Sequence, residues 1–252
     1  MARTYSAEGI IIKRINFGEA DRLITFLSRY KGKFTAIAKG VRKVASRRGP
    51  NLELLNHVKV YFAVGKNLDV VTEVQTLTTF RKIKDDLFKI GFSFHLTEMV
   101  DEFLAEGQGG RQIFNLLLKT LNLLQEEENP EKVKVILHAF DLKFLENVGY
   151  KPQLLSCAKC SAKLGSEQNF FSAEFGGIIG QNCRENSLFS TPISQDAIKV
   201  LRFLQSKGWQ DIKRLLVDAS LNSEVESLSR FYIEYLMEKE LKSAKFIDQI
   251  RN

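Results

Sequence analysis

The feature that most constrains the fold is a change of periodicity near residue 80. Within residues 5–76, apolar side chains alternate along five short segments that are separated by turn-forming residues. These segments read YSAEGIIIKRI, RLITFLSR, FTAIAKG, HVKVYFA and DVVTEVQT. Five short strands in such a short stretch are typical of an OB-fold, a five-stranded Greek-key barrel that often binds single strands. We therefore predict an OB-fold nucleic-acid-binding domain over residues 1–79.

From Phe80 onward the apolar residues recur with a helical period. The apolar face of a first predicted helix comprises Ile83, Leu87, Ile90, Phe94 and Leu104. A second helix follows GQGG, a third begins at Pro130, and Ser194 is a candidate N-cap for a fourth. The sequence thus predicts a multi-domain α+β protein, with an α-helical domain over residues 80–252. A cysteine-containing segment, residues 154–190, interrupts that domain.

Basic residues concentrate in the predicted barrel. Residues 1–80 carry 14 Lys and Arg against 6 Asp and Glu, a balance of +8, whereas the remainder of the chain has a balance of −1. The stretch GKFTAIAKGVRKVASRRGP (residues 32–50) holds six basic side chains and no acidic one. Such a local positive field attracts polyanions by releasing their counterions.

The candidate phosphate-binding residues are the six cations of this stretch and two at the end of the first strand. They are Lys33, Lys39, Arg42, Lys43, Arg47 and Arg48, with Lys13 and Arg14 as second choices. Two other interpretations of the charge stay open. The stretch can be a solvated loop that keeps the protein in solution, or it can belong to a non-catalytic adaptor and meet an acidic protein.

Aromatic residues in the same region have two possible roles. They can stack on unpaired bases, which contributes about 1–3 kcal/mol per base, or they can pack inside the barrel, as aromatic residues of strands usually do. The candidates are Phe17, Tyr30, Phe34, Tyr61 and Phe62.

Three cysteines lie in the interrupting segment. Cys157 and Cys160 form a CxxC pair, whose two thiolates can bind one tetrahedral zinc ion, and Cys183 follows in GGIIGQNC. Gly180 occupies the position where a second CxxC pair would have its first cysteine. Two possibilities stay open, a three-thiolate metal site and a metal-free knuckle built on Phe170, Phe171 and Phe175. We expect weak zinc binding or none.

Enzyme signatures and targeting signals are absent from the sequence. It contains no P-loop, its three histidines are scattered, and Glu19 and Asp21 have Arg22 beside them, so a surface turn explains them better than a metal site. A nuclease or ligase accessory with a hidden metal site lacks the carboxylate cluster that it would need. No stretch is long and apolar enough to cross a membrane, and the N-terminus does not resemble a signal peptide. We predict a reduced, cytoplasmic protein that is not an enzyme.

The order of motifs resembles one protein family. GEADRLITFLSRYKGKFTAIAKGVRK, followed by SRRGPNLELLNHVKVYFAVGKNLDVVTEVQTL, is similar to the amino-terminal domain of the RecO family of bacterial DNA repair proteins. FLENVGYKPQLLSCAKC and FFSAEFGGIIGQNC resemble the family's knuckle region. The resemblance covers most of the chain. The chain departs from it at Gly180, because zinc-bearing members have a cysteine there.

The resemblance implies a recombination mediator with an OB-fold, a helical domain and a small zinc-ribbon-like insertion. Members of the family bind single- and double-stranded DNA without sequence preference and anneal complementary strands. Together with RecR they help to load RecA onto DNA coated by single-strand-binding protein (SSB), and they contact the SSB tail through the helical domain. The resemblance also implies a cytoplasmic, nucleoid-associated location and no membrane partner.

Overall fold

A computed structural model of the chain describes residues 3–251, except for the side chains of Asn186 and Arg251. Five strands form a closed barrel in the order β1-β2-β3-β5-β4. They are β1 (Thr4–Phe17), β2 (Asp21–Ser28), β3 (Gly32–Ala38), β4 (His57–Ala63) and β5 (Asp69–Thr78). The predicted five-stranded OB-like barrel is therefore confirmed, and all five predicted segments are strands.

The long first strand closes the barrel because it pairs on both sides. Its first half pairs with β4 and its second half with β2, and a register shift between Ile11 and Lys13 bends it between the two partners. On the other side, β3 and β5 meet in a short parallel pair at Ala36 and Asp69. The interior is filled mainly by branched and aromatic side chains, including Ile11, Ile24, Phe26, Phe34, Val60 and Phe62.

Three helices follow the barrel in the same compact unit: α1 (Arg81–Lys84), α2 (Leu87–Phe103) and α3 (Gly110–Glu126). The prediction that Ile83 and Leu104 belong to one helix was wrong, because α1 and α2 are separate. The side chain of Asp86 accepts hydrogen bonds from the backbone N–H groups of Phe88 and Lys89 and starts a new helix there. This restart rotates the buried face, so Leu87 is exposed while Phe92 is buried.

The second compact unit, Glu126–Ala244, combines helices with a small sheet. It contains α4 (Pro130–Asn147), α5 (Gln195–Ser206), α6 (Trp209–Ile212) and α7 (Ala219–Met237), and α8 (Lys242–Arg251) continues from it into the first unit. The strands β6 (Asn169–Ser172), β7 (Gly177–Ile179) and β8 (Ser190–Ile193) form an antiparallel sheet in the order β7-β6-β8. The predicted N-cap at Ser194 is confirmed, because its hydroxyl accepts from the N–H of Ala197.

The first unit comprises the described residues up to Gln125 together with those from Lys245 onward, so it extends well beyond the barrel. The domain boundaries predicted from the sequence, at 79/80 and around 154–190, stay predictions. None of the helices within residues 3–251 combines the length and apolar character that a membrane crossing demands.

Candidate nucleic-acid interface

The connection between β3 and β4 carries most of the basic stretch. Its first part, residues 39–50, is called the basic loop below. The guanidinium of Arg48 fixes this loop, because it donates to the carbonyl oxygens of Val71 at 2.6 Å and of Lys39 at 2.9 Å. Arg42 donates to the carbonyl of Gly18 at 3.1 Å, and the N–H of Gly40 donates to Asp21 at 2.7 Å. The loop is therefore held on the barrel by named hydrogen bonds.

Three cations of the basic loop are exposed and unpaired. Within residues 3–251, the side chains of Lys39, Lys43 and Arg47 make no hydrogen bond or ion pair. Arg42 is also exposed, although one of its nitrogens is engaged by Gly18. Because the loop is fixed by Arg48, these free charges are displayed together on one segment and can meet an anionic partner without first losing an internal contact.

Two other predicted phosphate ligands share a carboxylate. Lys33 Nζ lies 3.2 Å from Asp101 Oδ1, and Lys13 Nζ lies 2.6 Å from Asp101 Oδ2. Burial by itself would raise the pKa of Asp101, but hydrogen bonds from Lys13 and Lys33 outweigh it and lower that pKa. The hydrogen bond to Asp101 raises the pKa of Lys13. The Lys33 side chain is only 12% exposed, whereas that of Lys13 is 46% exposed, and both cations link the barrel to α2.

Arg14 is also engaged within the first unit. Its guanidinium lies 2.6 Å from Glu53 Oε2, and Arg22 lies 3.6 Å from the other oxygen of that carboxylate.

The structure divides the eight predicted phosphate-binding residues into two groups. It brings Lys39, Arg42, Lys43, Arg47 and Arg48 together on the basic loop, and it places Lys13, Arg14 and Lys33 in ion pairs.

The structure also divides the aromatic candidates. Phe34 and Phe62 are buried in the barrel, where their ring centroids lie 5.4 Å apart in an edge-to-face arrangement. Phe17, Tyr30 and Tyr61 are exposed. Tyr30 is 81% exposed, and its hydroxyl makes no hydrogen bond within the described part of the chain. Its position in the turn between β2 and β3 leaves it without a packing role.

A cavity of about 520 Å³ opens on the side of the barrel beside Tyr30. We call it the side cavity. Strands β1, β4 and β5 and the turn between β2 and β3 line it, and the lining includes Tyr5, Glu8, Tyr30, Lys31, Lys59 and Leu77. Neither Lys31 nor Lys59 is among the site residues predicted from the sequence. Alternation along HVKVYFA could have identified Lys59, since it places Lys59 and Tyr61 on the outward face of β4.

Two tight turns bring the three cysteines of the second unit together. One turn is closed by the N–H of Ser161 donating to the carbonyl of Cys157 at 2.8 Å, and the other by the N–H of Cys183 donating to Gly180 at 2.9 Å. A hydrogen bond of 2.7 Å from Ala158 to Ile178 joins the segments. As a result, the sulfur atoms of the three cysteines all lie within 4.8 Å of one another, and they can hold a metal ion.

The backbone around Cys157 favours a thiolate. Burial by itself would raise the pKa of Cys157, but backbone N–H groups of Cys160, Gly180 and Lys159 point at its sulfur and lower the pKa to about 7. Hydrogen bonding with Cys160 raises the pKa of Cys183 to about 11. Thiolate-stabilising N–H groups and three converging sulfurs fit a thiophilic cation. Within residues 3–251, no fourth Cys, His, Asp or Glu completes the cluster.

The predicted apolar support of this cluster is only partly apolar. Phe171 is buried and its ring centroid lies 5.3 Å from that of Tyr232. Phe170 and Phe175 instead lie beneath cations, because Arg184 sits 5.4 Å from the Phe170 ring and Lys159 sits 5.2 Å from the Phe175 ring.

Comparison with known protein families gives two adjacent matches. Residues 1–80 match the family described as "Recombination protein O N terminal", and residues 84–245 match "Recombination protein O C terminal". The chain belongs to the RecO family. The two matches leave only residues 81–83 between them and follow the order that the motifs predicted, so the family prediction is confirmed. Membership of the RecO family supports a role in DNA repair and recombination.

Full-length relatives agree with the family matches. The DNA repair protein RecO of Roseiflexus sp. (strain RS-1) is 35% identical over 249 residues, which cover 99% of this chain and 87% of the relative. The DNA repair protein RecO of Dehalococcoides mccartyi (strain CBDB1) is 35% identical over 247 residues, or 98% of this chain and 96% of the relative. That of Symbiobacterium thermophilum is 28% identical over 251 residues, or 98% of each chain. The RecO similarity therefore extends over both units.

Proposed function

We propose that this chain is a recombination mediator that binds single- and double-stranded DNA without sequence preference through the basic loop. The observation that carries the proposal is the display of Lys39, Lys43 and Arg47, which are exposed and have no partner within the described residues. Phosphates are the same in every sequence, so side chains of this kind give affinity without reading bases. The RecO family membership supports DNA as the polyanion.

We propose that the chain acts by binding DNA strands and that it does not catalyse a covalent reaction. Cations that neutralise the phosphates of two strands at once lower the electrostatic repulsion that opposes annealing. We propose that the chain anneals complementary strands in this way. We further propose that, with RecR, it helps to load RecA onto SSB-coated DNA, as the family resemblance implies.

The contact with the SSB tail is assigned to the helical part of the chain. The family resemblance implies that the tail is acidic with an apolar end, so it requires an apolar groove with one or two cations beside it. A helix bundle offers apolar grooves. The cavity that Leu142, Leu145, Leu201 and Phe171 help to line has a volume of only about 10 Å³, which is too small for a peptide side chain. We therefore place the tail on the surface of the second unit and not in this cavity.

For the cysteine cluster we propose weak zinc binding by Cys157, Cys160 and Cys183. A structural zinc ion supplies a cross-link between loops, and a site with three protein ligands holds it less tightly than one with four. The chain's own hydrogen bond between Ala158 and Ile178 already joins the two segments, so the ion adds to a connection that the backbone makes.

A charge-reversal experiment tests the DNA-binding proposal. The loop variant Lys39→Glu, Lys43→Glu, Arg47→Glu is compared with the control Lys163→Glu, Lys207→Glu, Arg214→Glu. The control cations are exposed residues of the second unit and make no side-chain ion pair within residues 3–251. Both variants change the net charge equally. We expect the loop variant to lose at least tenfold in affinity for single-stranded and double-stranded DNA, and the control to stay close to the unmodified protein.

Comparing the binding of DNA with the binding of an acidic polypeptide separates a DNA mediator from an adaptor for an acidic protein. The adaptor hypothesis predicts tight binding of a polyglutamate chain and little binding of DNA. Equal DNA affinity of the loop variant and the control would rule out the basic loop as the DNA-binding surface.

A further inference from the structure

We infer that the side cavity holds one unpaired nucleobase of a single strand, with Tyr30 as the stacking platform. The inference rests on the proposed DNA-binding function and deepens it, because phosphate binding by the basic loop does not distinguish a single strand from a duplex. Tyr30 is the most exposed aromatic side chain among residues 3–251. An exposed ring in a turn contributes nothing to the core and is available to stack on a base.

The size and the walls of the side cavity suit a base. Its volume of about 520 Å³ lies within the range of about 300–1,000 Å³ that is usual for small-ligand sites. Leu77 and Ala7 give it an apolar wall, and Leu77 is 46% exposed although it is a large apolar residue. A planar base covers such a surface, and burying that apolar surface favours binding.

The charged residues that line the side cavity favour binding of an uncharged base over binding of a phosphate. Glu8 lies inside the lining, and its carboxylate is held by Arg29 at 3.3 Å and His57 at 2.9 Å. An acceptor of this kind matches the N–H donors of a base edge, and because Arg29 pairs with it, the carboxylate adds little net charge to the cavity. Lys31 is neutralised by Asp69 at 2.9 Å. Both groups thus favour an uncharged occupant.

Lys59 provides the positive charge for the backbone of the same strand. It is exposed, has no ion pair within the described residues, and its ammonium lies 5.7 Å from the centroid of the Tyr61 ring. A strand whose base stacks on Tyr30 can therefore keep its phosphate beside Lys59. In a duplex, the bases are paired and stacked inside the helix, so a base would enter the side cavity only at the cost of unpairing and unstacking.

The test compares a homothymidine oligonucleotide with a blunt duplex of mixed sequence. Tyr30→Ala is expected to weaken binding of the single strand about tenfold and to leave binding of the duplex unchanged. Tyr30→Phe retains the ring and should bind both probes like the unmodified protein. Tyr150→Ala removes a half-exposed tyrosine of the second unit and serves as the matched control. Because Tyr30 lies on the surface, its loss does not threaten folding.

Photo-cross-linking tests directly whether a base contacts Tyr30. An oligonucleotide that contains 5-iododeoxyuridine should photo-cross-link to Tyr30, and mass spectrometry of the digested adduct identifies the residue. Equal losses of single-strand and duplex affinity in Tyr30→Ala, or unchanged single-strand affinity, would overturn the inference. A loop charge-reversal variant that loses both probes while Tyr30→Ala loses neither would overturn the base site and leave the proposed function standing. Absence of binding of either probe to the unmodified protein would overturn both.

Discussion

The ammonium of Lys33 lies 3.2 Å from Asp101 Oδ1, so a cation of the most basic stretch of the chain is bound to a helix. The two residues are 68 positions apart, and Lys13 binds the second oxygen of the same carboxylate at 2.6 Å. Two strands of the barrel and α2 therefore meet at one acidic side chain. Asp101 is only 15% exposed, which makes this ion pair a link within the first unit.

We predict that Asp101→Asn destabilises the first unit by about 2 kcal/mol. This value lies between the 0–1 kcal/mol of an exposed pair and the 3–5 kcal/mol lost when one partner of a fully buried pair is removed. Urea unfolding near neutral pH measures the change. Asp196→Asn is the control, because it removes a highly exposed pair with Lys199 and should alter the free energy of unfolding little.

The same ion pair gives a specific dependence on pH. The folded protein lowers the pKa of Asp101, so the stabilisation is complete above the ordinary value of about 4 and is lost as pH falls through the lowered value. The raised pKa of Lys13 has the opposite sense, so its stabilisation is complete below about 10.4 and is lost as pH rises through the raised value. The difference between Asp101→Asn and the unmodified protein should therefore shrink at low pH. A difference that does not change with pH would contradict this account.

The sequence predicted the barrel because its signal is local. Alternation over a few residues identifies each strand, and turn residues separate them. The sequence did not predict that Lys33 forms an ion pair with Asp101, because the two residues are far apart in the chain and only the folded structure brings α2 beside β3. The break before α2 was missed for a different reason. The apolar residues on either side of Asp86 fit one helical period, and the capping hydrogen bonds that interrupt it are made by a single side chain.

For the candidate sites, the sequence predicted the location of the residues but not the hydrogen bonds that they make. Charge counting selected the basic loop, but it could not distinguish Arg48, which donates to backbone carbonyls, from Arg47, which is free within residues 3–251. Similarly, the spacing of the cysteines indicated one cluster, whereas the N–H groups that stabilise the Cys157 thiolate come from the folded turns.

We predict that Arg48→Lys weakens DNA binding although the charge is conserved. A lysine cannot reproduce the planar guanidinium that donates to both Val71 and Lys39, so the basic loop loses its fixed shape. Arg47→Lys is the matched control and should keep its affinity, because a phosphate accepts either cation. Fluorescence anisotropy with a labelled oligonucleotide measures both variants. Equal affinities for the two would show that Arg48 does not organise the loop.

Gly32 should tolerate a side chain far less than Gly18. Both have positive φ, +70° at Gly32 and +56° at Gly18, which costs an alanine roughly 1–2 kcal/mol. A Cβ at Gly32 would also lie 2.4 Å from the carbonyl oxygen of Gln108, whereas a Cβ at Gly18 meets nothing within 4 Å. Thermal unfolding should therefore show a clearly larger loss of stability for Gly32→Ala. Similar losses in the two variants would mean that the backbone contact with Gln108 is not maintained.

We predict that Gly180→Cys raises the zinc affinity of the cysteine cluster at least tenfold. A Cβ at Gly180 meets nothing within 4 Å, and its φ of −76° and ψ of 166° are extended values that any residue adopts. The control is Gly208→Cys, since Gly208 is equally open and has nearly the same φ and ψ, −77° and 165°. Competition with a chromogenic chelator measures the affinity. If both variants bind zinc like the unmodified protein, a fourth thiolate cannot reach the cluster.

If the free cations of the basic loop bind DNA phosphates, the affinity for DNA must depend on salt through these side chains. The logarithm of the association constant for a single-stranded oligonucleotide is plotted against the logarithm of salt concentration for the unmodified protein and for Lys39→Glu, Lys43→Glu, Arg47→Glu. Each lost phosphate contact should reduce the steepness of this line by about 0.7 for a single strand, so we expect the triple variant to show a reduction of about 2. Parallel lines would contradict it.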